Sequence, residues 1–169
     1  LGDVYKRQVF STSQAGKPLT NAHPDLIGEL DLLFTNKINP EVNVVFLCLG
    51  HGKSKAFLEQ NKFASHTRII DLSNDFRLNK DAEFQSENFI YGLPELNRNE
   101  ITTAKYIANP GCFATAIQLA LLPLASANLL QNDVNINAVT GSTGAGVQPT
   151  ETSHPVSYTH LRAHETLRY

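Results

Sequence analysis

The chain has 169 residues, with 14 Lys and Arg against 16 Asp and Glu for a net charge of −2, so it is long enough to bury a proper core and carries no basic excess pointing to nucleic acid. No apolar run reaches the length of a membrane span and the first residues lack the basic-then-apolar form of a signal peptide, which makes a cytosolic location the default expectation. Two cysteines, Cys48 and Cys112, are too few for a disulfide framework and lack the paired spacing of a zinc site, while the absence of Met, position 1 included, reads as a piece or processed product of a longer chain.

Leu1 to Gln8 and Val156 to Tyr169 lack the turn and strand logic of the middle. Both resemble translated adaptor sequence and are set aside from fold reasoning. This disposes of a metal reading. His160 and His164 are four apart with His154 nearby, but they fall in or beside that tail and no cysteine or structured carboxylate completes a ligand set.

From Val9 a strand end runs into a polar loop. At the end of a dinucleotide-fold strand, Ser11, Thr12 and Ser13 would offer hydroxyls to a 2′-phosphate, and no acid stands there for a free ribose, which leans to NADP. An ordinary polar loop is the alternative. Val42 to Leu49 is a nearly continuous apolar run, the pattern of a parallel strand covered on both faces, with Cys48 in its core.

Gly50-His51-Gly52 ends that strand, Ser54 to Phe63 follows as a helix with Phe57, Leu58 and Phe63 on its inner face, and Arg68 to Leu72 returns as a strand. Strand, helix and strand make a βαβ unit. Ligands of such sheets bind at the carboxyl ends of the strands, which sets Gly50, His51 and Gly52 beside a nucleotide that glycine lets approach closely. His51 stays open between a turn or capping residue and a catalytic base.

Asp71 to Leu78 places two acids and Arg77 on a loop at the same sheet edge, either paired internally, Asp75 with Arg77, or facing a ligand. Tyr91 to Arg98 is turn-rich. Ala104 to Ala108 is a short strand, Asn109-Pro110-Gly111 a turn, and Phe113 to Leu122 an apolar helix expected to be buried. Cys112 then sits in the first turn of that helix, where unpaired backbone N–H groups and the helix dipole favour the thiolate and make it a nucleophile. The alternative is a small core residue. Finally Val134 to Thr140 alternates like a strand and enters a glycine loop, Gly141 to Gly146, whose Gly144 and Gly146 would wrap a cofactor or substrate.

Taken together, the segments Ala15-Gly16-Lys17-Pro18-Leu19, Val45 to Gly52, Ile70 to Leu78, Tyr91 to Arg98, Asn109-Pro110-Gly111-Cys112 and the loop at Gly144-Ala145-Gly146 resemble, in order, the N-acetyl-γ-glutamyl-phosphate reductases of arginine biosynthesis, relatives of aspartate-semialdehyde dehydrogenase. The resemblance runs from about Val9 to His154. It implies an NADP(H)-binding Rossmann domain, a second α/β domain for catalysis and subunit contact, and a homo-oligomer in the complete protein. It implies reduction of an acyl phosphate to a semialdehyde, with release of phosphate, through Cys112. On the residues themselves, Asn109 and Arg77 are the candidates for the substrate and Ser11, Ser13, Gly50, His51, Gly144 and Gly146 those for the cofactor. The sequence departs from the pattern in three places. The glycine-rich first strand and turn are missing before Val9, the acid/base histidine beyond the glycine loop has no match, and Phe113-Ala114 stand where the family often has Tyr-Pro.

The fold expected is therefore α/β, a partial Rossmann-type parallel sheet lacking its first strand plus the start of a second α/β domain. Residues 9–108 are assigned to the first, 109–155 to the second, and 1–8 and 156–169 to non-native flanks. The isolated chain is expected to be inactive. Rival readings are a reductase of an N-succinyl-glutamyl, aminoadipyl or aspartyl phosphate, a cysteine hydrolase that needs no nicotinamide, and a nucleotide-binding module in which Cys112 is plain core.

Overall fold

A computed structural model describes residues 7–139. The chain divides into two compact units, at Leu119 and Ala120. In the first unit β1 (Val9–Phe10) is followed by two 3-10 turns (Leu19–Asn21 and Pro24–Leu26), β2 (Phe34–Thr35), β3 (Val44–Leu47) and α1 (Ser54–Gln60). Then come β4 (Arg68–Asp71), β5 (Glu83–Phe84), β6 (Glu87–Asn88), β7 (Ile90–Tyr91), α2 (Pro94–Thr103) and β8 (Tyr106–Ala108). Helix α3 (Cys112–Ser126) begins in this unit.

The expected βαβ unit is present. β3 and β4 are adjacent and parallel, in register Val44 to Arg68 through Leu47 to Asp71, with α1 between them in sequence. β8 pairs parallel with β4 and β7 pairs parallel with β8, which gives a four-stranded sheet in the order β3-β4-β8-β7. β1 and β2 form a separate parallel pair. A tilted contact between Phe10 and Phe57, with ring centroids 5.9 Å apart, ties that pair to α1.

The core lies between the sheet and the segments that cross it. Leu47, Leu58, Ile69, Phe76, Phe84, Phe89, Tyr106 and Ala108 form one buried cluster, with Phe57 of α1 packed against it as expected; Phe63 packs there too, but from beyond the helix, which ends at Gln60 and not at Phe63. Phe76 stacks on Phe89 at 3.9 Å between centroids, and Phe84 meets Tyr106 edge-on at 5.8 Å. The edge-to-face pair adds about 0.5–1.5 kcal/mol beyond the area it buries.

Several expectations are corrected. β3 is not covered on both faces: Leu47 is buried, but Phe46 is 63% exposed and Val44 is exposed beside it. The strand stands at the end of the four-stranded sheet, and nothing among the described residues covers that face. Cys48 lies past the end of β3 and is exposed rather than core. α3 forms as expected, but none of its side chains is fully buried, and Phe113 and Leu119 are exposed. Apolar composition reports a helix that wants cover without supplying it.

Val134–Val139 forms no strand, because no neighbour pairs with it among the described residues; Thr140 lies outside them. The supposed turn segment at Tyr91 to Arg98 is largely α2, with Pro94 in its first turn and a kink at Asn97. In the second unit α3 ends in a Schellman turn. Asn128 takes a φ of 55°, its amide bonds Ala125 O, and the Leu129 amide bonds Leu124 O.

Candidate active site

The carboxyl ends of β3, β4 and β8 lie side by side, and three loops leave them: Gly50 to Lys53, Leu72 to Leu78 and Asn109 to Gly111. This is the edge at which parallel sheets bind ligands.

The third loop sets the thiol. The Asn109 amide continues the ladder by donating to Asp71 O at 2.8 Å, and Pro110 turns the chain away from the sheet. The Gly111 carbonyl then accepts from the Thr115 amide at 2.8 Å and from its hydroxyl at 3.0 Å, which starts α3. Cys112 is the first residue of the helix and is exposed. Its own amide and those of Phe113 and Ala114 precede the first helical bond and have no acceptor within the turn.

Arg77 reaches this turn from the second loop. Its Nε donates to Asn109 O at 2.8 Å and its Nη2 to Leu72 O at 2.9 Å. Nη1 lies beside Gly111, where an added Cβ would stand 3.1 Å from it, so the absence of a side chain at 111 is what admits the guanidinium. The expected pairing of Asp75 with Arg77 does not occur. Both flank Phe76, which is 1% exposed, and they serve different neighbours.

Asp75 turns to the first loop. Its Oδ1 accepts from the Gly52 amide at 2.6 Å and its Oδ2 from the Ser54 amide at 2.9 Å. It thereby caps α1, whose own cap residue Lys53 makes no side-chain bond. Burial works to raise the Asp75 carboxyl. Bonds from the Gly52 amide, the Ser73 side chain and the Ser54 and Lys55 amides outweigh it and hold the group below its ordinary value.

Asp71 is fully buried at the end of β4, where Oδ1 accepts from Ser54 Oγ at 2.6 Å and Oδ2 from Ser73 Oγ at 2.6 Å. The Ser73 amide adds a bond to Oδ1 at 3.2 Å, and Ser73 Oγ also receives the Asp75 amide at 3.0 Å. A buried carboxylate is tolerated only with such a set of donors. Sequence reading singled out neither serine. The alternation of acid and hydroxyl in Asp71-Leu72-Ser73-Asn74-Asp75, directly after a strand, was the available signal.

Gly50 and Gly52 take φ values of +82° and +75°, a region that favours glycine, and a Cβ at either would meet nothing within 4 Å. The backbone at the end of β3 is thus open on the side a Cβ would occupy. His51 Nδ1 accepts from the Asn74 amide at 3.1 Å, the turn role left open by the sequence, and its other nitrogen is not engaged by that bond.

Ser11 and Ser13 stand together after β1 with hydroxyls 3.5 Å apart, and Ser11 Oγ also accepts from the Gln14 amide at 3.3 Å. The Asn109 side chain donates to Pro110 O at 3.1 Å. The structure therefore brings Cys112, Asn109 and Arg77 together at one turn and joins Gly50 to Gly52 to them through Asp75 and Asp71. Ser11 and Ser13 belong to the separate β1-β2 pair. Gly144, Gly146, His154, His160 and His164 lie outside the described residues.

Family models match on both sides of this turn: the NAD-binding domain of semialdehyde dehydrogenase over residues 3–104, and the semialdehyde dehydrogenase dimerisation domain over residues 112–166. The chain belongs to the semialdehyde dehydrogenase family. The expected fold holds accordingly, a parallel α/β domain followed by the start of a dimerisation domain. An N-acetyl-gamma-glutamyl-phosphate reductase of Flavobacterium johnsoniae is 70% identical over 146 residues, covering 86% of this chain and 45% of the relative. Reductases of the same name from Christiangramia forsetii and Bacteroides thetaiotaomicron are 58% and 52% identical, each covering 86% of this chain and 44% of the relative. The chain spans about half the length of the curated relatives it matches. In this semialdehyde dehydrogenase chain, Cys112 is the first residue of the second matched domain.

Proposed function

We propose that the chain carries the nucleophile and part of the cofactor domain of an NADPH-dependent reductase. It would convert N-acetyl-glutamyl 5-phosphate to N-acetyl-glutamate 5-semialdehyde and phosphate. The carrying observation is Cys112, an exposed thiol at the first residue of a helix, set at the carboxyl end of parallel strand β8 by a turn that Asp71 and Arg77 hold. The names of the relatives support the acyl group.

When bound, the reduced nicotinamide supplies the hydride. The chain's part is nucleophilic: Cys112 Sγ bonds to the acyl carbon as the bond from that carbon to the phosphate oxygen breaks and phosphate leaves with the electron pair. The thioester holds the carbon where hydride is delivered, and cleavage of the C–S bond returns the thiolate and releases the aldehyde. Charge on the acyl oxygen falls to donors at the turn, the first amides of α3 and Asn109. Arg77 Nη1, which makes neither of the bonds to Asn109 O and Leu72 O, would meet the leaving phosphate.

Gly50, His51 and Gly52 take the nucleotide, with Ser11 and Ser13 favouring the 2′-phosphate of NADP, and Gly144 and Gly146 complete the cofactor site. The domain assignments of 9–108 and 109–155, a cytosolic location and assembly through the dimerisation domain belong to the same proposal.

The test uses a protein of the relatives' full length that carries this sequence. With phosphate, NADP+ and N-acetyl-glutamate 5-semialdehyde it should form NADPH, and Cys112→Ser should lower that rate by on the order of 10³-fold or more. Faster turnover of the N-succinyl, aminoadipyl or aspartyl semialdehyde would replace the substrate, and faster turnover with NAD+ would replace the cofactor. Acyl hydrolysis independent of nicotinamide would make it a cysteine hydrolase. Alkylation of Cys112 no faster than that of the likewise exposed Cys48 would favour a non-catalytic module. The 169-residue chain alone is expected to show no turnover above its Cys112→Ser control.

A further inference from the structure

The run from Asp71 to Arg77 touches both the Gly50 to Lys53 loop and the Asn109 turn, and of it only Arg77 has a part in the proposed chemistry. At one end the Asp75 carboxylate holds the Gly52 and Ser54 amides at the end of β3. At the other, Arg77 holds the Asn109 carbonyl one turn before the thiol. Between them Phe76 is buried in the aromatic cluster, stacked on Phe89, so the two polar residues project from a fixed point. A second route runs beneath. Ser54 Oγ and Ser73 Oγ both bond the Asp71 carboxylate, and Asp71 O receives the Asn109 amide.

We propose that Asp75 is a positioning residue whose bonds to the first turn of α1, braced through Ser73, Asp71 and Arg77, fix the Cys112 turn relative to the Gly50–Gly52 loop. The inference rests on the reading of Cys112 as nucleophile and of the glycine loop as the nucleotide's seat, since only then does the spacing of the two loops set the distance between thiol and cofactor. Asp75, Ser73 and Asp71 are bonded in series, and Arg77 meets them at Asn109, whose amide bonds Asp71 O and whose carbonyl accepts from Arg77 Nε. Loss of the carboxylate releases the two amides directly, and with them the anchor of Ser54, whose hydroxyl bonds Asp71.

The experiment is amide hydrogen exchange on the full 169-residue chain and on its Asp75→Asn and Asp75→Glu variants, with alkylation of Cys112 and Cys48 followed in parallel. In Asp75→Asn, exchange at Gly52 and Ser54 should rise roughly 10-fold, because the side-chain amide offers one acceptor oxygen where two N–H groups now bond two. Exchange at Asn109 and Thr115 should rise with it by about 3-fold or more. Phe34 and Ala104, whose amides bond Lys17 O and Glu100 O elsewhere in the unit, should not change. The Cys112 alkylation rate should move relative to Cys48, and Asp75→Glu should restore part of every effect.

A rise confined to Gly52 and Ser54 would make Asp75 a local cap and overturn the brace. A uniform rise that includes Phe34 and Ala104 would make it a general stability residue and overturn it equally. Should Asp75→Asn fail to fold, Ser73→Ala, which removes a single hydroxyl, is read by the same criteria. The exchange readout does not depend on thiol chemistry, so an unreactive Cys112 would end the nucleophile reading while the coupling of the loops is decided separately.

Discussion

Two opposed effects meet at Asp75, and the stronger sets how the chain responds to acid. Burial favours the neutral acid, whereas the amides of Gly52, Ser54 and Lys55 and the Ser73 hydroxyl favour the carboxylate and win, so the folded-state value lies below the ordinary 3.8. A depressed carboxyl contributes stability that is fully present above its unfolded value and is lost as the pH falls through the folded one. Asp75 is partly exposed, so solvent screens much of this gain: Asp75→Asn should cost about 0.5 kcal/mol at neutral pH, and the gap from the parent chain should close as the pH drops below about 3.8. Urea melts at a series of pH values measure it; a gap that stays constant into acid would show that the charge contributes nothing. Much at this scale was legible. Cys112 at a helix start and Gly50 and Gly52 at a strand end followed from local patterns of residue type. The partner of Asp75 did not, because sequence proximity to Arg77 suggested a pair, while the burial of Phe76 between them assigns each to a different loop.

Among the elements, β7 and β8 are held unusually close by Gly92. Its amide donates to Ala108 O at 2.8 Å, and a Cβ there would stand 2.8 Å from Ile107 Cγ2 and 3.1 Å from Ala108 O. Gly92→Ala should therefore push the two strands apart at the base of the Asn109 turn and cost about 1–3 kcal/mol, as overpacking does. Thermal unfolding is the check, with Tm expected to fall; an unchanged Tm would mean that the strands yield freely. The longer periodic runs, β3, α1, β4 and α3, were readable because their patterns repeat over several residues. The hairpin β5-β6 was not: Gln85 and Ser86 both take positive φ, 50° and 66°, in a two-residue turn that carries neither of its usual residues, Asn and Gly. α2 hid behind Pro94 and Asn97, which mark turns as often as helix starts, and the two-residue strand β2 is too short to show a period.

For the molecule as a whole, the open face of β3 is the main liability. Val44 and Phe46 project from the last strand of the sheet with no cover among the described residues. Exposed apolar patches of this kind associate with other chains. The 169-residue chain should self-associate as its concentration rises, and Phe46→Lys should reduce that without lowering stability by more than about 0.5 kcal/mol. Sedimentation velocity decides the point: a monomer at every concentration would show that the face is harmless. The parallel sheet could be anticipated from alternating strands and helices, but the order of its strands could not, because nothing in the local pattern of Tyr106 to Ala108 says that it slots between two earlier strands. That order has a consequence for synthesis. Ile90 and Tyr91 leave the ribosome well before the strand that receives them, and β7 pairs with β8 alone. A nascent chain that had emerged only as far as Ala104 would thus display β4 with one open edge and β7 with no partner, the kind of half-built sheet that chaperones hold, and only the arrival of Tyr106 to Ala108 closes both at once.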